Sequence, residues 1–286
     1  MIDKDVLALG QELLRRPLLP LASMVHFLYL TGDFTTPAEV IDQLPPDIET
    51  NHALYPDGAA DLRPYAELFA PLAAYKAGQP PVAGIVDTEG QPLDALTAGA
   101  ALADQQVLTR ELERINSLLC ASCACTLCCL GPDATMHQAY FEIPLAEAEV
   151  ERFAIERIDN AASRAHRADA DCLLLIDDRP FYERKEPVLI QWQHGWSLIL
   201  PREASCPNLG PDGRCRIYLD RPEVCRRPQI FPYVLEPLPD NNGPRWRTRR
   251  SLLAVLDCPY VRLLQDEIAA FAAASELDLV FRHNKT

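Results

Sequence analysis

Five cysteines fall within ten consecutive residues of the chain, in the run Cys120-Ala-Ser-Cys123-Ala-Cys125-Thr-Leu-Cys128-Cys129. Two C-x-x-C spacings, Cys120 to Cys123 and Cys125 to Cys128, allow two sulfurs to bind one metal while backbone amides donate to them. Packing five thiolates together costs electrostatic repulsion, which a cation or a metal cluster offsets. The block therefore predicts metal or iron–sulfur binding, and a pair of redox-active thiols is the alternative.

Four more cysteines are dispersed over the second half of the chain, at Cys206, Cys215, Cys225 and Cys258. Separations of nine and ten positions between the first three are too long for a simple zinc knuckle. We expect a loop-rich fold to gather them onto a site shared with the first block. The tenth cysteine, Cys172, lies in an apolar run and is expected to be a buried core thiol, because free cysteine behaves as a small hydrophobic residue.

The motifs around the dispersed cysteines resemble a known family. The tight block is followed by Cys206-Pro-Asn-Leu, by Gly-Arg-Cys215-Arg-Ile-Tyr and by Arg221-Pro-Glu-Val-Cys225-Arg226. This succession resembles the YkgJ-like cysteine-cluster proteins, which are described as a zinc- or iron-chelating domain with a C-x-x-C-x-x-C-C hallmark. The resemblance covers about residues 118–260 and implies a short strand at residues 141–145, followed by an acidic helix.

The resemblance also implies which cysteines bind metal. The metal-binding residues expected from the block, the motifs and Cys258 together are Cys120, Cys123, Cys125, Cys128, Cys129, Cys206, Cys215, Cys225 and Cys258. The hallmark needs a cysteine at position 122, where this chain has Ser122. Either Cys120 or Cys123 takes that place, and the sequence leaves the choice open.

The type of donor atom restricts which metals can bind at this site. Soft thiolates with no neighbouring histidine favour zinc or an iron–sulfur cluster over hard cations. Zinc sites usually show two matched C-x-x-C pairs, whereas one tight block with several distant single cysteines is more typical of cluster ligation. We therefore expect an iron–sulfur cluster, with zinc as the alternative. Arg221 and Arg226 lie among the cysteines and are expected to stabilise thiolate charge from outside the ligand set.

The helices and strands expected around these residues indicate an α+β fold. Residues 1–95 are expected to form a helical N-terminal region, and residues 96–286 a loop-rich cysteine-cluster domain with short strands and helices. Helices are predicted over residues 5–16, 21–30, 97–119, 147–160 and 261–275, from apolar periodicity in 5–16 and 147–160 and from helix-favouring residue types in 97–119. Two apolar runs flanking His194 and Gly195 predict a hairpin, and residues 281–286 are expected to be a frayed tail.

Length and composition restrict the class of protein. The 286 residues, 48% of them hydrophobic, can bury a full apolar core, so the ten cysteines are not needed as crosslinks. The N-terminus lacks the basic region of a signal peptide, and the apolar residues 18–30 are too few to cross a bilayer. We expect a cytoplasmic protein with no membrane partner, whose clustered thiols stay reduced and serve metal or redox chemistry.

Charge and missing motifs argue against two further classes. The net charge of -14 disfavours nucleic acid as a partner, although residues 202–250 carry ten arginines against six acidic residues. Residues 245–250 are arginine-rich, and we interpret them as an exposed strand face in preference to a nucleic-acid-binding patch. The chain has neither G-x-G-x-x-G nor G-x-x-x-x-G-K-[ST], which weakens interpretations built on NAD or ATP.

The sequence thus predicts a metal-binding protein that holds an iron–sulfur cluster or zinc through clustered thiolates, with a structural, electron-transfer or sensing role. One alternative is a cluster-dependent enzyme similar to a protein lysine N-methylase, since flagellin lysine-N-methylases share the cysteine motif. Another is a partner-binding protein, in which the N-terminal helices dock a second protein and the metal is purely structural.

Overall fold

The computed structural model describes residues 3–79, 84–123, 125–167, 174–227, 229–238 and 245–283, which form a mixed α+β protein. Its α-helices are α1 (Lys4–Arg15), α2 (Leu19–Thr31), α3 (Pro37–Asp42), α4 (Gly58–Leu62), α5 (Ala70–Lys76), α6 (Ala95–Ser122), α7 (Ala161–Ala165), α8 (Pro259–Leu263) and α9 (Gln265–Ala274). The 3-10 helices lie at Arg63–Phe69, Glu147–Arg152, Phe181–Glu183 and Glu223–Arg226. None of the helices in these ranges has the length and apolar character that crossing a membrane requires.

The strands of the described residues form two small pairs and two larger sheets. They are β1 (Ile48–Glu49), β2 (Leu54–Tyr55), β3 (Gly84–Val86), β4 (Tyr140–Leu145), β5 (Arg157–Ile158), β6 (Leu175–Ile176), β7 (Arg179–Pro180), β8 (Val188–Trp192), β9 (Gly195–Pro201), β10 (Ile230–Leu238), β11 (Arg245–Val255) and β12 (Asp278–Arg282). The strand β4 confirms the short strand that the family resemblance implied at residues 141–145.

Side-chain caps begin several of the described helices, among them α1, α3 and α6. Asp3 accepts a hydrogen bond of 2.9 Å from the amide of Asp5 at the start of α1, and Thr36 accepts one of 3.3 Å from Glu39 at the start of α3. Asp94 caps the long helix α6 in the same way. Because caps and apolar periodicity are local, the helices predicted over residues 5–16 and 97–119 are confirmed within a few residues.

The main hydrophobic core lies between the N-terminal helices, α6, α9 and the sheet that contains β10 and β11. Leu21 and Val25 of α2, Leu112 of α6 and Ile230 of β10 are each at most 1% exposed within it. The helix α6 runs through this core and carries Cys120 in its last turn. The core therefore holds one end of the cysteine block rigidly.

The sheet of the main core is built around β11. The strand β10 pairs with it antiparallel, while β3 and β12 both pair with it in parallel. Glu236 of β10 accepts hydrogen bonds from Arg247 and Arg249 of β11, at 2.6 and 2.8 Å. Residues 245–250 thus lie in a strand, as predicted, and β11 leads directly to the segment that contains Cys258.

The second sheet has the strand order β4-β9-β8-β5 and supports the other side of the cysteine region. The predicted hairpin forms between β8 and β9, where Gly195 has a φ of 128° that favours glycine over residues with a side chain. Trp192 and Ile199 pack on one face of the sheet, and Leu198 packs on the other. The face that carries Leu198 turns toward Cys206.

The helix predicted over residues 147–160 is wrong. The chain makes only the short 3-10 helix Glu147–Arg152, and Phe153 continues with extended backbone. Ile158 lies in β5 and pairs in parallel with Ile190 of β8. That pairing buries Ile158 against residues distant in sequence, which local periodicity does not reveal.

The frayed tail predicted for residues 281–286 is also corrected. Phe281 and Arg282 belong to β12 and pair with Ala254 and Val255 of β11. The backbone groups on this side of β11 form hydrogen bonds with β12, because a strand without a neighbour would leave its donors and acceptors unpaired. Residues 284–286 lie outside the described residues, and so does Cys172, for which a buried core position was predicted.

Candidate metal centre

One cavity of about 310 Å³ brings together every cysteine in the described part of the chain. Four segments contribute them: the end of α6 with the loop after it, the loop after β9, the 3-10 helix Glu223–Arg226, and the start of α8. The cysteines that line the cavity are Cys120, Cys123, Cys125, Cys128, Cys129, Cys206, Cys215, Cys225 and Cys258. The fold therefore gathers the dispersed cysteines onto the same cavity as the block.

The other residues around the cavity offer few competing ligands. Ile143, Phe153 and Leu198 form an apolar side, and the hydroxyl-bearing rings of Tyr218 and Tyr260 complete it. Among the described residues that line the cavity, there is no histidine, aspartate or glutamate. Soft sulfur donors select zinc or iron–sulfur clusters, whereas oxygen donors suit magnesium and calcium. The donor set therefore fits zinc or iron.

The thiols share the cavity without converging on one point. In the part of the chain that the structure describes, no three histidine, cysteine, aspartate or glutamate side chains form a group that could hold a metal ion. A tetrahedral zinc site places four sulfurs about 2.3 Å from one centre. The described thiols, as placed, do not form such a group.

The end of α6 positions the first cysteines of the block. The helix ends at Ser122, with Cys120 in its last turn and the amide of Cys123 donating to the carbonyl of Cys120 at 3.1 Å. Beyond it, the amide of Leu127 donates to Sγ of Cys125 at 3.4 Å. Such amide donors stabilise a thiolate in place, which is the local geometry that the C-x-x-C spacing favours.

Backbone hydrogen bonds join the end of the block to the loop after β9. The amide of Cys206 donates to the carbonyl of Cys129 at 2.7 Å, and the amide of Leu209 donates to the carbonyl of Cys206 at 2.9 Å. Leu209 in turn forms an isolated antiparallel bridge with Cys215. Three cysteines that are far apart in sequence are therefore tied together by main-chain contacts.

A buried carboxylate positions Cys225. Glu149 is 7% exposed and accepts hydrogen bonds from the amides of Ala146 at 3.0 Å and Glu223 at 2.8 Å. It also accepts one from Nη1 of Arg152 at 3.1 Å. The contact with Glu223 fixes the start of the 3-10 helix that carries Cys225. Sequence reasoning missed this role, because the partner amide lies 74 positions away.

Cys258 reaches the cavity from the opposite direction. It follows β11, occupies the N-cap of α8 and is 3% exposed. Burial raises the pKa of its thiol, and the amides of Val261 and Tyr260 at the N-terminus of α8 oppose that rise in part. This cysteine is therefore the most deeply buried of the nine.

Burial raises the pKa of seven of the nine cavity thiols, and repulsion from neighbouring thiolates raises it further. The pKa reaches about 12 at Cys129, Cys225 and Cys258. It shifts in the same direction at Cys120, Cys125, Cys128 and Cys206. Thiolates crowded in this way need a cation to be stable. A metal that binds here must displace protons, so its affinity is expected to rise with pH.

The two arginines predicted to lie near the thiolates differ in position. Arg221 lines the cavity and is 5% exposed; its Nη2 donates to Oγ of Ser117 at 2.6 Å, and its guanidinium lies 3.9 Å from the centre of the Tyr218 ring. Its charge lowers the pKa of Cys120, although burial outweighs it. Arg226 lies outside the cavity lining, with its Nη1 3.5 Å from the carbonyl oxygen of Arg221.

A glutamine that sequence reasoning missed donates to one of the thiols. Nε2 of Gln229 lies 2.5 Å from Sγ of Cys128. The amide of Gln229 donates to the hydroxyl oxygen of Tyr260 at 2.8 Å and to Oδ1 of Asn116 at 3.2 Å. The hydroxyl of Tyr260 donates to the same Asn116 oxygen at 2.8 Å. No local pattern indicates this network, because Gln229 and Cys128 are 101 positions apart.

Replacing this glutamine tests its contribution to metal binding. Gln229→Leu removes the donor to Cys128 and is expected to lower metal affinity about 10-fold to 100-fold, since partners that orient a ligand contribute that much. Competition with a chelator measures the affinity. The control is Gln265→Leu on the exposed start of α9, where the side chain donates to the nearby carbonyl of Arg262 and lies outside the cavity lining. Equal affinities of the two variants would contradict the role of Gln229.

Comparisons with known proteins agree with this site. Neither curated proteins nor solved structures gave a match. A family model named CxxCxxCC, with the description "Putative zinc- or iron-chelating domain", matches residues 119–242. The match contains every cavity cysteine except Cys258, which lies beyond its end. Over residues 119–242, this chain is therefore similar to a family of zinc- or iron-chelating domains.

Proposed function

We propose that the cysteine cavity holds an iron–sulfur cluster through thiolate ligands. The bound cluster stabilises the loops around it. The observation that carries this proposal is the gathering of nine thiols from four chain segments onto one cavity. Their donor set is sulfur alone among the described lining residues, which suits iron–sulfur clusters and zinc.

The separation of the thiols favours a cluster over a single zinc ion. Within the described residues, no three ligand side chains are placed to hold one ion. A cluster occupies more space than an ion, and its thiolate ligands bind different iron atoms, so they need not converge on one point. A cavity of about 310 Å³ leaves room for such a group. Zinc binding would instead require the thiols to collapse around each ion.

A structural role follows from the segments that carry the cysteines. Residues 125–139 and 202–222 contain no helix and no named strand, and isolated bridges such as that between Leu130 and Ser205 hold them. Their backbone hydrogen bonds are those of turns and isolated bridges, not those of a helix or a sheet. Metal–thiolate bonds that join them contribute directly to the free energy of folding. The bound group would thereby hold the loops against the main core and the second sheet.

Metal and sulfide analysis of protein purified without oxygen tests this function. We expect iron, acid-labile sulfide and a broad visible absorption band in the wild type, with all three reduced in Cys128→Ser. Stoichiometric zinc in a colourless protein without sulfide would refute the iron–sulfur assignment. Circular dichroism before and after chelation tests the role: loss of folded structure supports a structural centre, whereas a retained fold would point to electron transfer or sensing.

A further inference from the structure

Nine thiols on one cavity exceed the four that a single centre uses. We propose, building on the thiolate metal binding above, that the cavity holds two separate centres, each with four thiolate ligands. The first, which we name the loop set, comprises Cys129, Cys206, Cys215 and Cys225. The second, the helix set, comprises Cys120, Cys128, Cys258 and either Cys123 or Cys125.

Main-chain contacts join the members of the loop set. The amide of Cys206 donates to the carbonyl of Cys129 at 2.7 Å, and Leu209 connects Cys206 to Cys215 through a hydrogen bond of 2.9 Å and an antiparallel bridge. Cys206 packs on the apolar face of the second sheet. Cys225 is held toward the same side, because Glu149 anchors its 3-10 helix to the turn that follows β4.

The helix set contacts the other core. Cys120 and Cys123 pack against the main hydrophobic core, in which Cys258 is buried. Cys128 receives its hydrogen bond from Gln229, whose backbone is bound by Tyr260, two residues after Cys258. Cys128 and Cys129 are adjacent in sequence but have different partners. Cys128 is connected through Gln229 to Tyr260 of α8, whereas Cys129 bonds to Cys206 in the loop after β9. The two sets therefore rest on different supports.

The thiols that lie close enough for their charges to interact follow the same division. The neighbours of Cys225 are Cys206 and Cys215, and those of Cys258 are Cys125 and Cys123. Cys129 also has Cys120 and Cys128 as neighbours, which places the two sets side by side.

Arg221 lies near a member of each set. Its Nη2 donates at 2.6 Å to Oγ of Ser117, three residues before Cys120 in α6, and its charge acts on both Cys120 and Cys225. A buried guanidinium at this position offsets negative charge from both sets.

The helix set needs a ligand from outside the family domain. The family match ends at residue 242, and Cys258 arrives through β11 and the N-terminus of α8. The main core that buries Cys258 also contains the N-terminal helices. The second centre therefore connects the cysteine domain to the rest of the chain, and this gives Cys258 a role that the family match does not assign.

Matched variants of the full chain test the two centres. Cys225→Ser removes one ligand of the loop set, and Cys258→Ser removes one of the helix set. Each is expected to retain about half of the wild-type metal, measured by elemental analysis, and the double variant almost none. Ser122→Ala, which alters the block without removing a thiol, serves as the control and is expected to keep the full content. Complete loss of metal in both single variants, or unchanged content in either, would overturn the proposal.

Native mass spectrometry of the wild type provides a second measurement that does not depend on how the variants fold. Two bound groups per chain are expected, and one bound group would overturn the two-centre proposal while leaving the proposed function intact. A wild-type chain with no metal after anaerobic purification would instead contradict the proposed function itself. The two failures are therefore distinguishable.

Discussion

Gly131→Ala is expected to destabilise the protein by about 3 kcal/mol and to lower its metal content, because this position has no room for a side chain. A Cβ at Gly131 would lie 1.9 Å from the carbonyl oxygen of Pro201 and 3.0 Å from that of Leu200. Both are backbone atoms at the end of β9, so no side-chain rotation can relieve the contact. The amide of Gly131 also donates to the carbonyl of Ala204 at 2.8 Å.

The displacement that Gly131→Ala causes is transmitted to the thiols through the backbone. Gly131 follows Cys129 and Leu130, and the bridge of Leu130 to Ser205 precedes the hydrogen bond between Cys206 and Cys129. Moving the chain away from β9 breaks this alignment and separates two members of the loop set. Loss of a backbone hydrogen bond and displacement of ligands both lower stability.

Urea denaturation and elemental analysis measure the two effects of Gly131→Ala. The control is Gly84→Ala in β3, where the nearest atom to an added Cβ is Cγ of Arg245 at 3.9 Å. That variant is expected to change stability by no more than about 0.5 kcal/mol and to keep its metal. Wild-type stability and metal content in Gly131→Ala would contradict the proposed link between the close backbone approach and the site.

The second large effect is expected at Glu111, a carboxyl group buried in α6. Glu111 is 5% exposed; Oε1 accepts a hydrogen bond of 2.9 Å from the amide of Leu18, and Oε2 has no partner among the described residues. Burial raises the pKa of Glu111 from 4.5 to about 8. The amide of Leu18 and the charge of Arg114 lower it, and Asp61 raises it. The folded chain therefore favours the neutral acid.

The sign of the pH dependence follows from this raised pKa. Between pH 4.5 and about 8 the folded state binds the Glu111 proton more tightly than the unfolded state does, so stability falls as pH rises through this window. Above it, the buried carboxylate costs roughly 5 kcal/mol relative to the protonated form. Glu111→Gln is neutral at all pH values and close to the protonated acid in shape. We expect this variant to be more stable than the wild type by several kcal/mol at pH 9 and similar to it at pH 4.

Urea denaturation of both chains across this pH range provides the measurement. Other buried groups with shifted pKa values, Asp104 and His26 among them, are common to both chains, so their contributions cancel in the difference. Glu89→Gln at an exposed turn removes the same charge and serves as the control, with no pH-dependent gain expected. A stability difference between Glu111→Gln and wild type that does not change with pH would refute the burial argument.

Local features of the chain were predictable because their causes lie within a few residues of each other. Asp3 and Asp94 cap the helices that were predicted over residues 5–16 and 97–119, and Gly195 allows the tight turn between two apolar strands. The short strand β4 followed from the family motif. Where pairing joins distant segments, prediction failed. Ile158 was predicted to lie in a helix but pairs with β8, and Phe281 was predicted to lie in a frayed tail but pairs with β11.

The cysteine spacing alone was sufficient to predict a metal-binding protein, because ten thiols in this pattern have few other uses. It could not show which thiols belong together. Asn116, Glu149 and Gln229 position the cysteines through contacts between residues 74 to 114 positions apart, and each partner is an ordinary residue in its own segment. The division of the thiols between two supports arises from the packing of α6 and α8 on one core and of the loop after β9 on another sheet. The residue types determine which metals the side chains can bind. The distances between ligands from different segments are set only when the apolar faces of those segments pack.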